Sequence, residues 1–284
     1  MKFDIKEMLQ TEDPGELALD RDSGKNYIGL TGLTTVYQVE YTLEVFKKLK
    51  LGLNSNPMGM IGFLISPRNL KSDWYSSRYP RLDLFHPMLE KARDKAFTTL
   101  HIDEKSTSNW LFSFTQLVDK VTKVDRYKVH ELVKGFQINV KHPNPLDICT
   151  LRETYPGVKI ILQYASDFLN LDLDMAIDDL GSYRNCIDYI LIDPSRGWGL
   201  NLDIEKAINN YNGITREFPG LKIGFAGGFK PSTIKDIIDN LCNGLESLDF
   251  SIDIETGLRT ESDQLDLLKV YQYLHYTKDS FTSY

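Results

Sequence analysis

The chain has 284 residues, enough for one large α/β domain or two small ones, and its 42% apolar and 11% aromatic content is ample for a sizeable core. Its formal net charge of -7 argues against a broad nucleic-acid or anionic-membrane surface, and no run of about eighteen apolar residues predicts a transmembrane helix. Three cysteines (Cys149, Cys186, Cys242), far apart and without CxxC spacing, suit a reducing compartment as buried thiols and give no metal framework. The acidic N-terminus lacks the apolar centre of a signal peptide, so a cytoplasmic location is expected.

In chain order, residues 1–24 read as an arm with a turn at Asp13-Pro14-Gly15, and residues 25–284 as one domain. Asn26 to Leu30 is the first apolar strand. It is followed by a helix in which Val36, Val39, Leu43, Phe46 and Leu49 recur at helical spacing. Met60 to Ser66 is the second strand. A long polar loop over 67–87 carries Arg68, Arg78 and Arg81 among aromatic residues, and loops of that length are usually functional or mobile. Met88 to Lys95 reads as a helix and Ala96 to Ile102 as the third strand, ending near His101 and Asp103. Trp110 to Lys134 is mostly helical. Phe136 to Val140, Val158 to Tyr164 and Ile187 to Asp193 are strands four to six, each followed by a helical pattern.

The seventh unit runs from a strand, Ile223 to Ala226, through Gly227-Gly228 to a helix beginning near Pro231 and Ser232. In the eighth, a strand from Leu248 to Ile254 opens into Thr256-Gly257, and a closing helix follows. Eight apolar strands alternating with helices predict a parallel (β/α)8 barrel, a TIM barrel with an N-terminal extension and a long loop after strand two. No GxGxxG follows the first strand, so a dinucleotide-binding open sheet lacks support.

In such a barrel the carboxyl ends of the strands face one pocket, and phosphate docks at the loops after strands seven and eight. Two adjacent glycine-bearing turns place unpaired backbone N–H groups side by side, which makes Gly227, Gly228, Thr256 and Gly257 the expected phosphate grip. The strand ends also supply Thr31, Asp103, Asn139, Asp193 and Asp253. Asp193 closes an almost wholly apolar strand, where a partly desolvated carboxyl is suited to protonating a substrate oxygen. Starting a turn at Pro194, or pairing with Arg196, is the alternative role.

The sequence resembles the phosphoribosylanthranilate isomerases of tryptophan biosynthesis over roughly residues 26 to 275. Leu191-Ile192-Asp193 resembles the family's leucine-leucine-aspartate strand end, and Gly197-Trp198-Gly199 its GGTG-type loop. Ala226-Gly227-Gly228 with Pro231-Ser232-Thr233 resembles its AGG-plus-PEN segment, and Asp253-Ile254-Glu255-Thr256-Gly257 its terminal DVSSGVE. Ser77-Arg78-Tyr79 is similar to its serine-arginine-tyrosine after strand two, and Gln137-Ile138-Asn139-Val140 lines up with its glutamine-leucine-histidine-glycine.

That resemblance implies an Amadori-type isomerisation of a phosphorylated sugar derivative, without metal or organic cofactor. Asp193 is the implied general acid. Arg78 would meet a substrate carboxylate or aromatic ring, Asp253 would bond a ribose hydroxyl, and Asn139 and Gly199 would line the substrate site. Thr31 stands where the family carries its cysteine base, and Asn139 where it carries a histidine. A threonine hydroxyl has no useful basicity at neutral pH, and general-base catalysis contributes roughly 10²- to 10⁴-fold. Either His101, Asp103, Lys141 or His142 serves as the base, or the barrel binds a phosphorylated metabolite or a partner protein without chemistry. A phosphosugar aldolase or epimerase using Lys141 or Asp103 is a third reading.

Overall fold

The computed structural model describes residues 24–70, 74–104, 109–122, 127–165, 172–194 and 201–282. Eight apolar runs become eight parallel strands: β1 (Tyr27–Thr31), β2 (Met58–Ile65), β3 (Phe97–Glu104), β4 (Gly135–Val140), β5 (Lys159–Ala165), β6 (Tyr189–Asp193), β7 (Lys222–Phe225) and β8 (Phe250–Ile254). They pair in sequence order, and β8 returns to β1 through Ile28↔Ile252 and Leu30↔Ile254, closing the barrel. Alternation sends Ile28, Leu30, Ile61 and Phe63 outward into the layer under the helices, while Tyr27, Met60, Phe97, Ile161, Tyr189 and Leu191 fill the interior. The single (β/α)8 barrel expected from the sequence is therefore the observed fold.

The outer layer comprises, among the described residues, α1 (Val36–Leu49), α2 (Leu82–Ala92), α3 (Trp110–Thr122), the short α4 (Val129–Leu132), α5 (Pro145–Thr154), α6 (Leu173–Gly181), α7 (Ile204–Glu217), α8 (Ile234–Gly244) and α9 (Leu267–Thr282). Local chemistry explains their ends. Thr35 and Gln38 form a reciprocal capping box at the start of α1, and Asn144 caps α5 ahead of Pro145. Two boundaries differ from expectation. The polar stretch after β2 is shorter than 67–87: Pro67–Leu70 is one 3-10 turn, and α2 starts at Leu82 and runs through Pro87 because Phe85, Met88, Leu89 and Ala92 bury one face. Between α3 and α4 the helix over 110–134 is interrupted, since Tyr127 is non-helical and Lys128 is extended. The N-terminal arm, except for Gly24, lies outside the described residues.

The cysteine expectation needs correcting. Cys149 on α5 and Cys186 ahead of β6 form a disulfide, with Cα atoms 4.9 Å apart, and only Cys242 carries a free thiol. Thirty-seven residues separate the pair in sequence, so only the packing of α5 against the entry to β6 reveals it. A second link ties the same elements. Asp188 accepts from Arg152 Nη1 at 2.8 Å, from Lys159 Nζ at 3.3 Å and from the Ile160 N–H at 2.9 Å. Burial alone would raise this carboxyl, but these donors outweigh it and hold Asp188 below the usual carboxylate range. No helix among the described residues is long and apolar enough to cross a membrane.

Thiol titration of unreduced, denatured protein should count one reactive cysteine, rising to three after reduction. Asp188→Asn, which leaves Arg152 and Lys159 without their shared carboxylate, should lower unfolding stability by about 3 kcal/mol in denaturant titrations.

Candidate active site

Four hydrogen bonds join Thr31, Gln137 and Gln163 to the two central carboxyl groups across the mouth. Thr31 Oγ1 on β1 donates to Asp253 Oδ1 on β8 at 3.5 Å. Gln137 Nε2 on β4 donates to Asp253 Oδ2 and to Gln163 Oε1 on β5, both at 3.3 Å. Gln163 Nε2 in turn donates to Asp193 Oδ2 on β6 at 2.6 Å. Asp193 is 5% exposed and Asp253 4%. The sequence reading brought Thr31, Asp193 and Asp253 to the mouth but did not single out Gln163, and it noted Gln137 only as part of a motif. The signal was present: each is a polar residue flanked by apolar ones in its strand, in phase with the inward face.

Electrostatics separates these groups. Burial pushes the Asp253 carboxyl up to about 7; the Gln137 amide opposes the shift, while the like charges of Glu255 and Asp193 add to it. His101, inward-facing on β3 and 5% exposed, has no partner at either ring nitrogen, and burial lowers it to about 4. Gln163 lies alongside and favours the cation slightly, without meeting hydrogen-bond geometry. The Gln137 Oε1 atom is likewise buried without a partner. Asp103 accepts from Asn139 Nδ2 at 3.2 Å and from the Tyr79 hydroxyl at 3.1 Å, so Asn139 is engaged with a neighbouring carboxylate.

A second polar group fastens the loop after β2 to the rim of β8. Arg78 Nε and Nη2 grip Asp263 at 3.0 and 2.7 Å, while its Nη1 reaches Glu255 at 2.8 Å and Thr256 Oγ1 at 3.3 Å. Ser77 Oγ donates to Asp263 at 2.6 Å. Arg259 crosses beneath, donating to the Ser77 carbonyl at 2.8 Å and the Gly32 carbonyl at 2.6 Å. Hydrogen bonding to Arg78 holds the Asp263 carboxyl below its ordinary range. Burial raises Glu255, although Arg78 and Arg259 pull the other way. Arg78 therefore already has two carboxylate partners. Glu255, Arg259 and Asp263 were not among the expected site residues, because ion pairing over such distances in sequence leaves no local pattern.

The two expected phosphate loops touch. Gly257 lies so close to the Phe229 carbonyl that a Cβ there would be 1.8 Å from its oxygen. Gly227 and Gly228 have φ of 109° and 63°, and among the described residues their N–H groups donate to no protein acceptor. Thr256–Leu258 form a single 3-10 turn beside them. Gly199 lies outside the described residues, as does the rest of the Gly197-Trp198-Gly199 motif. Lys141 and His142 are exposed beyond the end of β4. Among the described residues no three His, Cys, Asp or Glu side chains are grouped to hold a metal ion.

No family model matches the sequence. No curated protein matches it either. Among solved structures, the phosphoribosyl anthranilate isomerase from Thermotoga maritima is similar with a TM-score of 0.59 at 13% identity, over 90% of this chain and 100% of that one. TrpF from Jonesia denitrificans gives 0.58 at 15% identity, over 90% and 98% of the two chains. A phosphoribosyl anthranilate isomerase in complex with reduced 1-(O-carboxyphenylamino)-1-deoxyribulose 5-phosphate gives 0.57 at 14%, over 90% and 100%. At these identities the likeness is one of fold.

A carboxyl whose folded-state pKa is raised keeps its proton in the native protein after the unfolded chain has lost it. Stability therefore falls as pH rises from the ordinary Asp value of 3.8 to the folded value of about 7. Asp253→Asn removes that loss and keeps both hydrogen bonds if its amide faces Thr31. Urea titrations should find this variant more stable than wild type at pH 8, by up to about 4 kcal/mol, with the gain vanishing near pH 4.

Proposed function

We propose that this barrel binds a phosphorylated sugar derivative and isomerises it, aldose to ketose, in the manner of the proteins it resembles. The observation that carries the reading is the contact between the rims of β7 and β8. Gly257 packs on the Phe229 carbonyl, beside two glycine N–H groups that donate to no acceptor among the described residues. Gly227, Gly228, Thr256 and Gly257 would hold the phosphate through main-chain donors, as the net charge of -7 requires of an anion site. Asp193, buried and oriented by Gln163, would protonate the ring oxygen of the sugar. Asp253 would face the ribose, and Asn139 and Gly199 would lie along the substrate. Arg78 would meet an anionic or aromatic aglycone only by loosening its hold on Asp263.

Tryptophan biosynthesis is the pathway this reading suggests, with phosphoribosylanthranilate as the first substrate to try. The reading requires no cofactor. A second reading, a barrel that grips a phosphorylated metabolite without chemistry, is favoured by the Thr31 hydroxyl at the base position and by Asn139 being tied to Asp103. An aldolase built on Lys141 is less suited, because a Schiff-base lysine needs desolvation and Lys141 is exposed.

Turnover of phosphoribosylanthranilate can be followed by the loss of its fluorescence, and ester binding by calorimetry with ribulose 5-phosphate. The isomerase reading expects turnover that Asp193→Asn reduces roughly 10²- to 10⁴-fold. Binding of the ester without turnover, unchanged in Asp193→Asn, would favour the silent barrel. Absence of both would sink the sugar-phosphate assignment.

A further inference from the structure

Moving a proton from C2 of an aldose derivative requires a base, and the mouth offers few groups suited to it. The Thr31 hydroxyl is not basic at neutral pH. Burial leaves the His101 imidazole with little affinity for a proton. Asp103 is only half-buried and is bonded to both Tyr79 and Asn139 at the end of β3. Glu255 is paired with Arg78, and Cys242 sits on α8, outside the barrel wall. Asp253 is an almost fully buried carboxyl, 4% exposed, where Asp103 is half-buried. Among the described residues no cation contacts it, and its oxygens are held by the neutral donors Thr31 and Gln137, one on each.

Resting on the isomerase reading above, we propose that Asp253 is the catalytic base, with Thr31 and Gln137 as positioning residues that aim its two oxygens at the sugar. The substrate class is an N-substituted aldosylamine phosphate. Asp193 gives its proton to the ring oxygen as the C1–O bond breaks; that bond's electron pair stays on oxygen, and the nitrogen lone pair forms C1=N. Asp253 then takes the C2 proton. The C–H pair becomes C1=C2 and the C=N pair returns to nitrogen, giving an enolamine. Proton return from Asp253 to C1, with loss of the C2 hydroxyl proton to restore Asp193, yields the aminoketose. No oxidant or metal enters the balance.

Every titratable group facing Asp253 bears on its pH response. Asp193 on β6 and Glu255 beyond β8 act as like charges, Arg78 reaches it only through Glu255, and Tyr27 on β1 and Tyr273 on α9 are buried phenols that stay neutral. The deprotonated form is the active one, so kcat/KM for phosphoribosylanthranilate should rise with pH through about 7.

The test measures kcat/KM against pH, and solvent deuterium entering the product at C1, for wild type, Asp253→Asn and Thr31→Val. Asp253→Asn should lose at least roughly 10²-fold in rate while keeping measurable affinity for ribulose 5-phosphate. Thr31→Val, which removes a donor to the ionised carboxyl, should move the rising limb to higher pH. A merely structural Thr31 would leave the limb in place. Wild-type turnover in Asp253→Asn, or an unmoved limb in Thr31→Val, overturns this assignment while leaving the isomerase reading standing. A wild-type protein that binds the ester yet never turns over overturns both.

Discussion

Two carboxyl groups buried in the mouth of an otherwise apolar barrel are the constraint that shapes the rest of the site. A desolvated carboxyl is unfavourable unless neutral donors or cations compensate it, and here the compensation comes mainly from two glutamines. Gln137 and Gln163 stand on neighbouring strands, each donating through Nε2 toward a different aspartate. Because an amide carries no charge, the Gln137 bond only partly offsets the burial that raises the Asp253 carboxyl, where an arginine would suppress it further. The interior below them is filled mainly by Tyr27, Phe97, Ile161, Tyr189 and Leu191; among the described residues the buried Tyr27 hydroxyl has no partner, and the Tyr189 hydroxyl donates to the Lys25 carbonyl.

Arginines are present, but they are kept to the rim. Arg78 and Arg259 meet Glu255, Asp263 and two backbone carbonyls, and so fix the loop after β2 against β8. The division has a physical logic. Cations at the rim order loops without touching Asp193 or Asp253, and the β7–β8 corner carries main-chain amides with no acceptor among the described residues, in a geometry the glycines set. The mouth is thus graded from charge-paired at one edge, through acceptor-rich in the centre, to donor-rich at the β7–β8 corner.

Much of this architecture was legible in the sequence. Continuous apolar strands flanked by amphipathic helices predicted the barrel, and a lone aspartate at the end of Ile190-Leu191-Ile192 marked the mouth. Local pattern was insufficient wherever two distant segments meet. The Cys149–Cys186 bond, the hold of Asp263 on Arg78 and the Asn139–Asp103 contact each join residues whose spacing carries no period. The start of α2 was missed for another reason: Pro87 reads as a breaker, while burial of Phe85 and Leu89 decides the matter in the folded chain.

The disulfide and the Arg152–Asp188–Lys159 cluster both lie toward the amino end of β6, on the side of the barrel away from Asp193. Fastening the scaffold there separates durability from reactivity. Side chains at the opposite rim are free to be exchanged, even for ones that weaken or redirect the chemistry, without loosening the frame that carries them.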